Sequence, residues 1–142
     1  MGNIFENNKY RIIYFKSQKI VEFYMKDIEI GKEDIIEMHN VTLILTDGEK
    51  YANVFSAEDF FSISTEARTE GSKPYYSKNL IAQALVVKNL AQRLVGNFIM
   101  RINKPVRDTK MFSNKADARV WILYKIKEFE RAQKREEEAV YV

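Results

Sequence analysis

Cysteine is absent from this chain of 142 residues, which also has only one histidine, five glycines and two prolines. Without cysteine there is no disulfide, no thiolate zinc ligand and no cysteine nucleophile. The single His39 leaves no second imidazole for a metal pair or a proton relay. Phosphate-binding loops and nucleophile elbows are missing as well. We therefore predict no enzyme active site, no metal and no cofactor.

Long apolar runs and a leader pattern are also missing. No stretch approaches the roughly 20 apolar residues that a membrane-spanning helix needs. The first ten residues, MGNIFENNKY, lack a basic segment followed by an apolar one. Apolar residues make up 46% and charged residues 30%, which is typical of one folded domain of this length. We expect a cytoplasmic protein without a membrane span.

Charge is unevenly distributed along the chain. Residues 27–70 contain eleven acidic and three basic side chains, whereas residues 88–110 contain six basic and one acidic. Such segregation either attracts a partner or joins unlike faces of two copies. Alternatively, both segments are solvated faces of one domain.

The hydrophobic pattern predicts strands alternating with helices after an N-terminal β-hairpin. Residues 10–15 and 19–25 are rich in β-branched and aromatic side chains, which favours the hairpin. Residues 41–45 alone resemble a strand, yet apolar spacings of three and four favour a helix over residues 32–46. The other predicted elements are strand 51–56, helix 64–71, strand 81–87, helix 88–105, strand 109–112 and helix 114–138, capped by Ser113. This order predicts an α/β (α+β) fold with one mixed sheet covered by helices.

The stretch KNLAQRLVGNFIMRINKP, residues 88–105, concentrates apolar side chains on one half of a helix. Leu90, Leu94 and Phe98 belong to that half, and we predict that it packs on the sheet. A membrane-surface or nucleic-acid-binding helix is disfavoured because the polar half is mostly Asn and Gln. We predict no nucleic-acid contact.

Several short motifs between residues 84 and 122 carry a family resemblance. They are the spacing from Asn97 to Lys104-Pro105, the pair Phe112-Ser113, and Ala118 followed by Trp121. With these motifs the chain resembles bacterial STAS-like proteins of uncharacterised function, which have the SpoIIAA-like fold of the anti-sigma-factor antagonists. The likeness covers roughly residues 20–125. It implies a single STAS-like domain over residues 1–142. Within it we predict that residues 129–142 form a charged helical extension, because the run ERAQKREEE after Phe129 has almost no apolar face.

The resemblance also implies a candidate regulatory site. In anti-sigma-factor antagonists, a serine at the start of the helix after the second buried strand is phosphorylated by a partner kinase. Ser64 falls on that position here, although Ile63 and Glu66 depart from the family's Asp-Ser-Ser-Gly. The alternative is that Ser64 only caps the helix. The candidate phospho-switch or partner face consists of Asp59, Ser62, Ser64 and Thr65.

Two functions of different class follow. The first is a non-enzymatic interaction or regulatory module that binds an unidentified protein or a second copy of itself. The second is a carrier of a small apolar or anionic ligand, held in a groove between the sheet and the helix at residues 89–103. The candidate groove residues are Phe60, Tyr75, Arg93 and Phe98.

Overall fold

The computed structural model describes residues 3–102 and 107–140, without the side chains of residues 98, 99, 101 and 102. The strands are β1 (Ile4–Glu6), β2 (Tyr10–Phe15), β3 (Ile20–Met25), β4 (Glu29–Ile30), β5 (Tyr51–Ala57), β6 (Ser62–Ile63), β7 (Leu80–Val86) and β8 (Asp108–Phe112). The helices are α1 (Lys32–Thr46), α2 (Thr65–Gly71), α3 (Leu90–Ile102) and α4 (Lys115–Val140). The end predicted for α3, at Pro105, lies outside the described residues.

Six strands form one mixed sheet in the order β1-β2-β3-β5-β7-β8. β1, β2 and β3 are antiparallel, whereas β3, β5, β7 and β8 run parallel to one another. The predicted hairpin is confirmed: Lys19, in the left-handed region at φ 60°, ends a one-turn 3-10 helix between β2 and β3. The predicted α/β fold with one mixed sheet is confirmed as well. β1 and the β4–β6 pair were not predicted, because strands of two or three residues carry no readable period.

Each face of the sheet has its own apolar core. On one face, α4 buries Ala118, Ile122 and Ile126 against the strands. Alanines at positions 52, 82 and 84 of the central strands leave room for this helix to lie close. On the opposite face, α1 packs over β2 and β3 through Met38. The strand side chains buried there include Tyr10, Ile12, Tyr14, Val21, Phe23 and Met25.

The helix predicted over residues 32–46 is confirmed, despite its strand-like VTLIL segment. Thr42 and Thr46 are buried, and their hydroxyls donate at 2.7 Å to the carbonyl oxygens four residues earlier. These bonds satisfy the two hydroxyls inside the helix, which allows threonine to face the core. Asp47 and Gly48 then take positive φ angles of 54° and 71° and end the helix.

α4 begins one residue later than predicted. The Oδ1 atom of Asn114, rather than Ser113, accepts the N–H of Asp117 at 2.8 Å and caps the first turn. Beyond Phe129, every residue of α4 up to Val140 is exposed. No helix within the described ranges is long and apolar enough to cross a membrane. The last two residues of the predicted extension lie outside the described part.

Candidate functional site

α3 faces the sheet with a different side from the one that its apolar pattern predicts. Leu90 is 70% exposed and Leu94 is 59% exposed, whereas Gln92 and Gly96 are buried. A Cβ atom on Gly96 would lie only 2.5 Å from the Sδ atom of Met111. Glycine therefore lets α3 approach β8 at this position. The prediction that Leu90 and Leu94 pack on the sheet is wrong.

Hydrogen bonds of Gln92 explain this orientation. Its Nε2 donates to the carbonyl oxygen of Glu58 at 2.8 Å and to that of Ala57 at 3.4 Å. Its Oε1 accepts the backbone N–H of Lys88 at 2.9 Å. The side chain thus joins α3 to the end of β5 and satisfies backbone groups that burial would otherwise leave unpaired. A hydropathy pattern ranks glutamine as a surface residue and therefore does not predict that Gln92 is buried.

A groove remains between the sheet and the helices α1, α2 and α3. It encloses a cavity of about 280 Å³, and its lining is mostly apolar. Its apolar lining includes Phe55, Phe61, Leu85, Val87 and Val95. Leu85 is only partly buried, whereas its neighbours Ala84 and Val86 are buried under α4 on the other face. The central strands are thus fully covered on one side and incompletely covered on the other.

A row of polar side chains crosses the floor of the groove. Asn53 on β5 is in register with Gln83 on β7, which in turn is in register with Thr109 on β8. The Nε2 atom of Gln83 donates to the Thr109 hydroxyl at 2.9 Å. The Oδ1 atom of Asn53 is buried and has no hydrogen-bond partner among the described residues. A buried amide oxygen without a donor is rare in native proteins.

Two arginines line the same groove, of which Arg68 is partly buried and Arg107 is exposed. Arg68 on α2 donates to the carbonyl oxygen of Ile63 at 3.4 Å and to the Thr65 hydroxyl at 3.2 Å. Arg107 donates through Nε to the carbonyl oxygen of Leu80 at 3.0 Å. Their positive charge favours a neutral or anionic occupant over a cationic one.

An aromatic cluster closes one side of the groove. The ring of His39 lies 4.8 Å from that of Tyr75 and 4.9 Å from that of Tyr76, between centroids. Burial lowers the pKa of His39 below its usual 6.5. The Tyr76 hydroxyl donates to Glu70, which raises the pKa of Tyr76 to about 12. His39 and Tyr76 also line an adjoining cavity of about 290 Å³. Tyr75 lines that cavity as well.

The structure places the predicted groove residues mostly elsewhere. Phe60 is 82% exposed in the loop after β5, and Arg93 is exposed on the outer side of α3. Neither lines the groove. Arg93 is turned away because α3 presents its Gln92 and Gly96 side to the sheet. Tyr75 lines the adjoining cavity. The Phe98 side chain lies outside the described part of the chain.

The residues of the predicted partner face do lie close together in the chain and on the surface. Ser64 caps α2, since its Oγ accepts the N–H of Ala67 at 3.0 Å. Thr65 is the first residue of α2 and Ser62 lies on β6, and both are exposed, as is Asp59 in the preceding loop. The capping role is confirmed. Phosphorylation of Ser64 stays a prediction.

The polar residues of the groove floor were missed from the sequence. Asn53 and Gln83 each interrupt an otherwise apolar strand, in YANVFS and IAQALVV. A polar residue at the centre of a buried strand was the available signal, because burial of an amide demands a partner. No group of three His, Asp or Glu side chains suited to a metal occurs within residues 3–102 and 107–140.

Comparisons with known proteins identify a family and a fold. The model of DUF7793, described as a domain of unknown function, matches residues 13–125. A crystal structure of an uncharacterized protein of the DUF3478 family from Shewanella loihica PV-4, described as having a SpoIIAA-like fold, aligns with a TM-score of 0.53. The identity is 15%, over 84% of this chain and 89% of that one. This likeness confirms the predicted SpoIIAA-like fold. No curated protein matches the chain.

Proposed function

The protein belongs to the DUF7793 family, and from this premise we propose that it is a non-enzymatic binding module that holds a small ligand in the groove. The cavity carries this proposal. Its volume of about 280 Å³ is just below the roughly 300–1,000 Å³ typical of small-molecule sites. Its lining combines a mostly apolar surface with a few convergent polar groups, as such sites do.

Hydrophobic burial supplies the driving force. Leu85 and Phe55 lie at the centre of the sheet yet remain partly exposed to the groove. Each Å² of apolar surface that a ligand covers contributes about 25 cal/mol. The charges of Arg68 and Arg107 add a preference for a neutral or anionic ligand. This chemistry supports the carrier function predicted from the sequence, with a different set of lining residues.

Blocking the groove tests the proposal. Val95 lines the groove, whereas its neighbour Leu94 points to solvent, so Val95→Trp fills the cavity and Leu94→Trp is a matched control. We expect native mass spectrometry of protein purified from its own cells to find a bound small molecule on the wild type and on Leu94→Trp. Val95→Trp should lose it while keeping its circular dichroism spectrum. An unchanged bound mass on Val95→Trp, or none on the wild type, would contradict the proposal.

Docking of a protein partner is the second candidate, and one observation favours it. Phe60, Leu90 and Leu94 are exposed apolar side chains on two segments that touch, since the Asn89 side chain donates to the carbonyl oxygen of Asp59 at 3.5 Å. We call these three residues the apolar surface. Phe60 precedes Ser62 of the predicted partner face by two residues in the chain. The partner would be an unidentified protein or a second copy.

Sedimentation velocity over a range of concentrations tests the second-copy form of this candidate. A dimer that dissociates in the double variant Leu90→Asp, Leu94→Asp would support it. Val120→Asp is the control, because Val120 is 69% exposed on α4, which covers the other face of the sheet. A monomer at every concentration would exclude the second copy. Ser64→Asp distinguishes the two functions, since it should disturb a partner at that face and leave ligand in the groove.

A further inference from the structure

Asn53 occupies an unusual place at the centre of the sheet. Its chain neighbours Ala52 and Val54 are buried under α4, so alternation directs Asn53 to the groove face. The residue is 8% exposed, and the register between β5 and β7 shifts immediately before it. Such irregularities re-aim a side chain and are frequent beside functional sites.

The polar side chains beside Asn53 in the row donate to acceptors other than Asn53. Gln83, directly opposite, donates through Nε2 to Thr109. The Thr109 hydroxyl donates in turn to the carbonyl oxygen of Arg107 at 2.9 Å. On the other side, Asn53 is in register with Val21, whose side chain is apolar. Asn53 lines the groove, and its Oδ1 atom is a buried acceptor that no described group satisfies.

We propose that the groove selects a ligand with an apolar body and a buried hydroxyl or N–H group that donates to Asn53 Oδ1. This inference rests on the proposed function and names the ligand class. An amide oxygen left unpaired in a buried site is costly, whereas a donor on the ligand removes that cost. A site built to hydrogen-bond a hydroxyl also rejects the analogue that lacks it.

The surroundings of Asn53 narrow the class further. Phe55 and Phe61, whose ring centroids are 6.2 Å apart, offer aromatic faces to a planar body. Arg68 and Arg107 disfavour a positively charged donor. The ligand is thus a small hydroxyl- or N–H-bearing aromatic or aliphatic compound, neutral or anionic. Alkanes, ethers and tertiary amines lack the donor.

A matched pair of probes tests the donor. Naphthol and its methyl ether share a fused-ring body and differ in the hydroxyl hydrogen. We expect wild-type protein to bind naphthol about tenfold more tightly than the ether, by isothermal titration calorimetry, which is the effect of one buried hydrogen bond. Asn53→Leu, of nearly equal volume, should reduce the ratio to about one. Asn97→Leu is the control, because Asn97 is exposed on α3 and should keep the wild-type ratio.

The outcomes separate this inference from the proposed function. Equal affinities of the wild type for the two probes would refute the requirement for a donor on the ligand. The proposal that the groove binds a ligand would still stand. A preference for naphthol that persists in Asn53→Leu would likewise overturn the role of Asn53. Failure of both probes to bind would overturn both proposals. As a second readout, ligand-free Asn53→Leu should melt at a higher temperature than the wild type, since it lacks the unpaired oxygen.

Discussion

Replacing Gln92 by leucine should destabilise the protein, although it exchanges a polar residue for an apolar one at a buried site. The Gln92 side chain makes a 2.8 Å bond to the carbonyl oxygen of Glu58 and a 2.9 Å bond to the N–H of Lys88. Leucine would remove both hydrogen bonds. A buried backbone group left without a partner costs about 1–3 kcal/mol of stability. Added apolar burial offsets about 1 kcal/mol. The expected loss in the free energy of unfolding is about 2 kcal/mol.

The reverse exchange on the outer side of α3 should cost far less. Leu94 is more than half exposed, so Leu94→Gln should change the free energy of unfolding by about 1 kcal/mol or less. Urea unfolding of the two variants, followed by circular dichroism, measures both values. Should Leu94→Gln prove more destabilising than Gln92→Leu, the helix would face the sheet with its leucines, and the groove as described would not exist.

Three further variants report on other parts of the structure. Gly96→Ala should be nearly neutral, because the flexible end of Met111 can move aside and alanine gains helix propensity. Gly96→Leu should destabilise by about 1–3 kcal/mol, because a longer side chain meets both Met111 and Val87. Equal melting temperatures for Gly96→Leu and the wild type would contradict the close approach. Ser64→Ala should cost about 1 kcal/mol through loss of the bond to Ala67, whereas Ser64→Asp should preserve the cap. Because burial lowers the pKa of His39, the unfolded chain binds a proton there more readily than the folded chain does. The free energy of unfolding should therefore fall as the pH drops below about 6.5. In urea titrations at pH 7 and pH 5.5, His39→Gln should lack the part of this fall that is due to His39. Hydrogen bonds from Tyr76 and Lys73 lower the pKa of Glu70 below its usual 4.5. Glu70 therefore contributes to the pH dependence of stability only below about pH 4.5 and does not affect the comparison of pH 7 with pH 5.5.

Much of the fold was predictable because its elements have strong local signals. The β2–β3 hairpin follows from β-branched and aromatic runs, and α1 follows from spacings of three and four with acids in the first turn. The short β1, β4 and β6 strands have no such period. Their existence depends on tertiary pairing, as in the register of Ile4 with Ile13. A single sequence therefore predicts the architecture and loses these small elements.

The site was less predictable, for a physical reason visible in α3. An apolar stripe predicts the buried side of a helix only if polar residues on the other side lack buried partners. Gln92 has such partners in the backbone of Ala57 and Glu58, and Gly96 gains close contact with Met111. The helix was therefore predicted correctly while its orientation, and with it the groove lining, was not.

Methyl chemical-shift mapping tests the central claim most directly. With leucine and valine methyls labelled, naphthol should shift the resonances of Leu85, Val87 and Val95, which line the groove. Leu90 and Leu94, on the outer side of the same helix, should stay unchanged. Saturable shifts confined to the first three residues are the predicted result. Shifts confined to Leu90 and Leu94, or none at all, would contradict a ligand-binding groove.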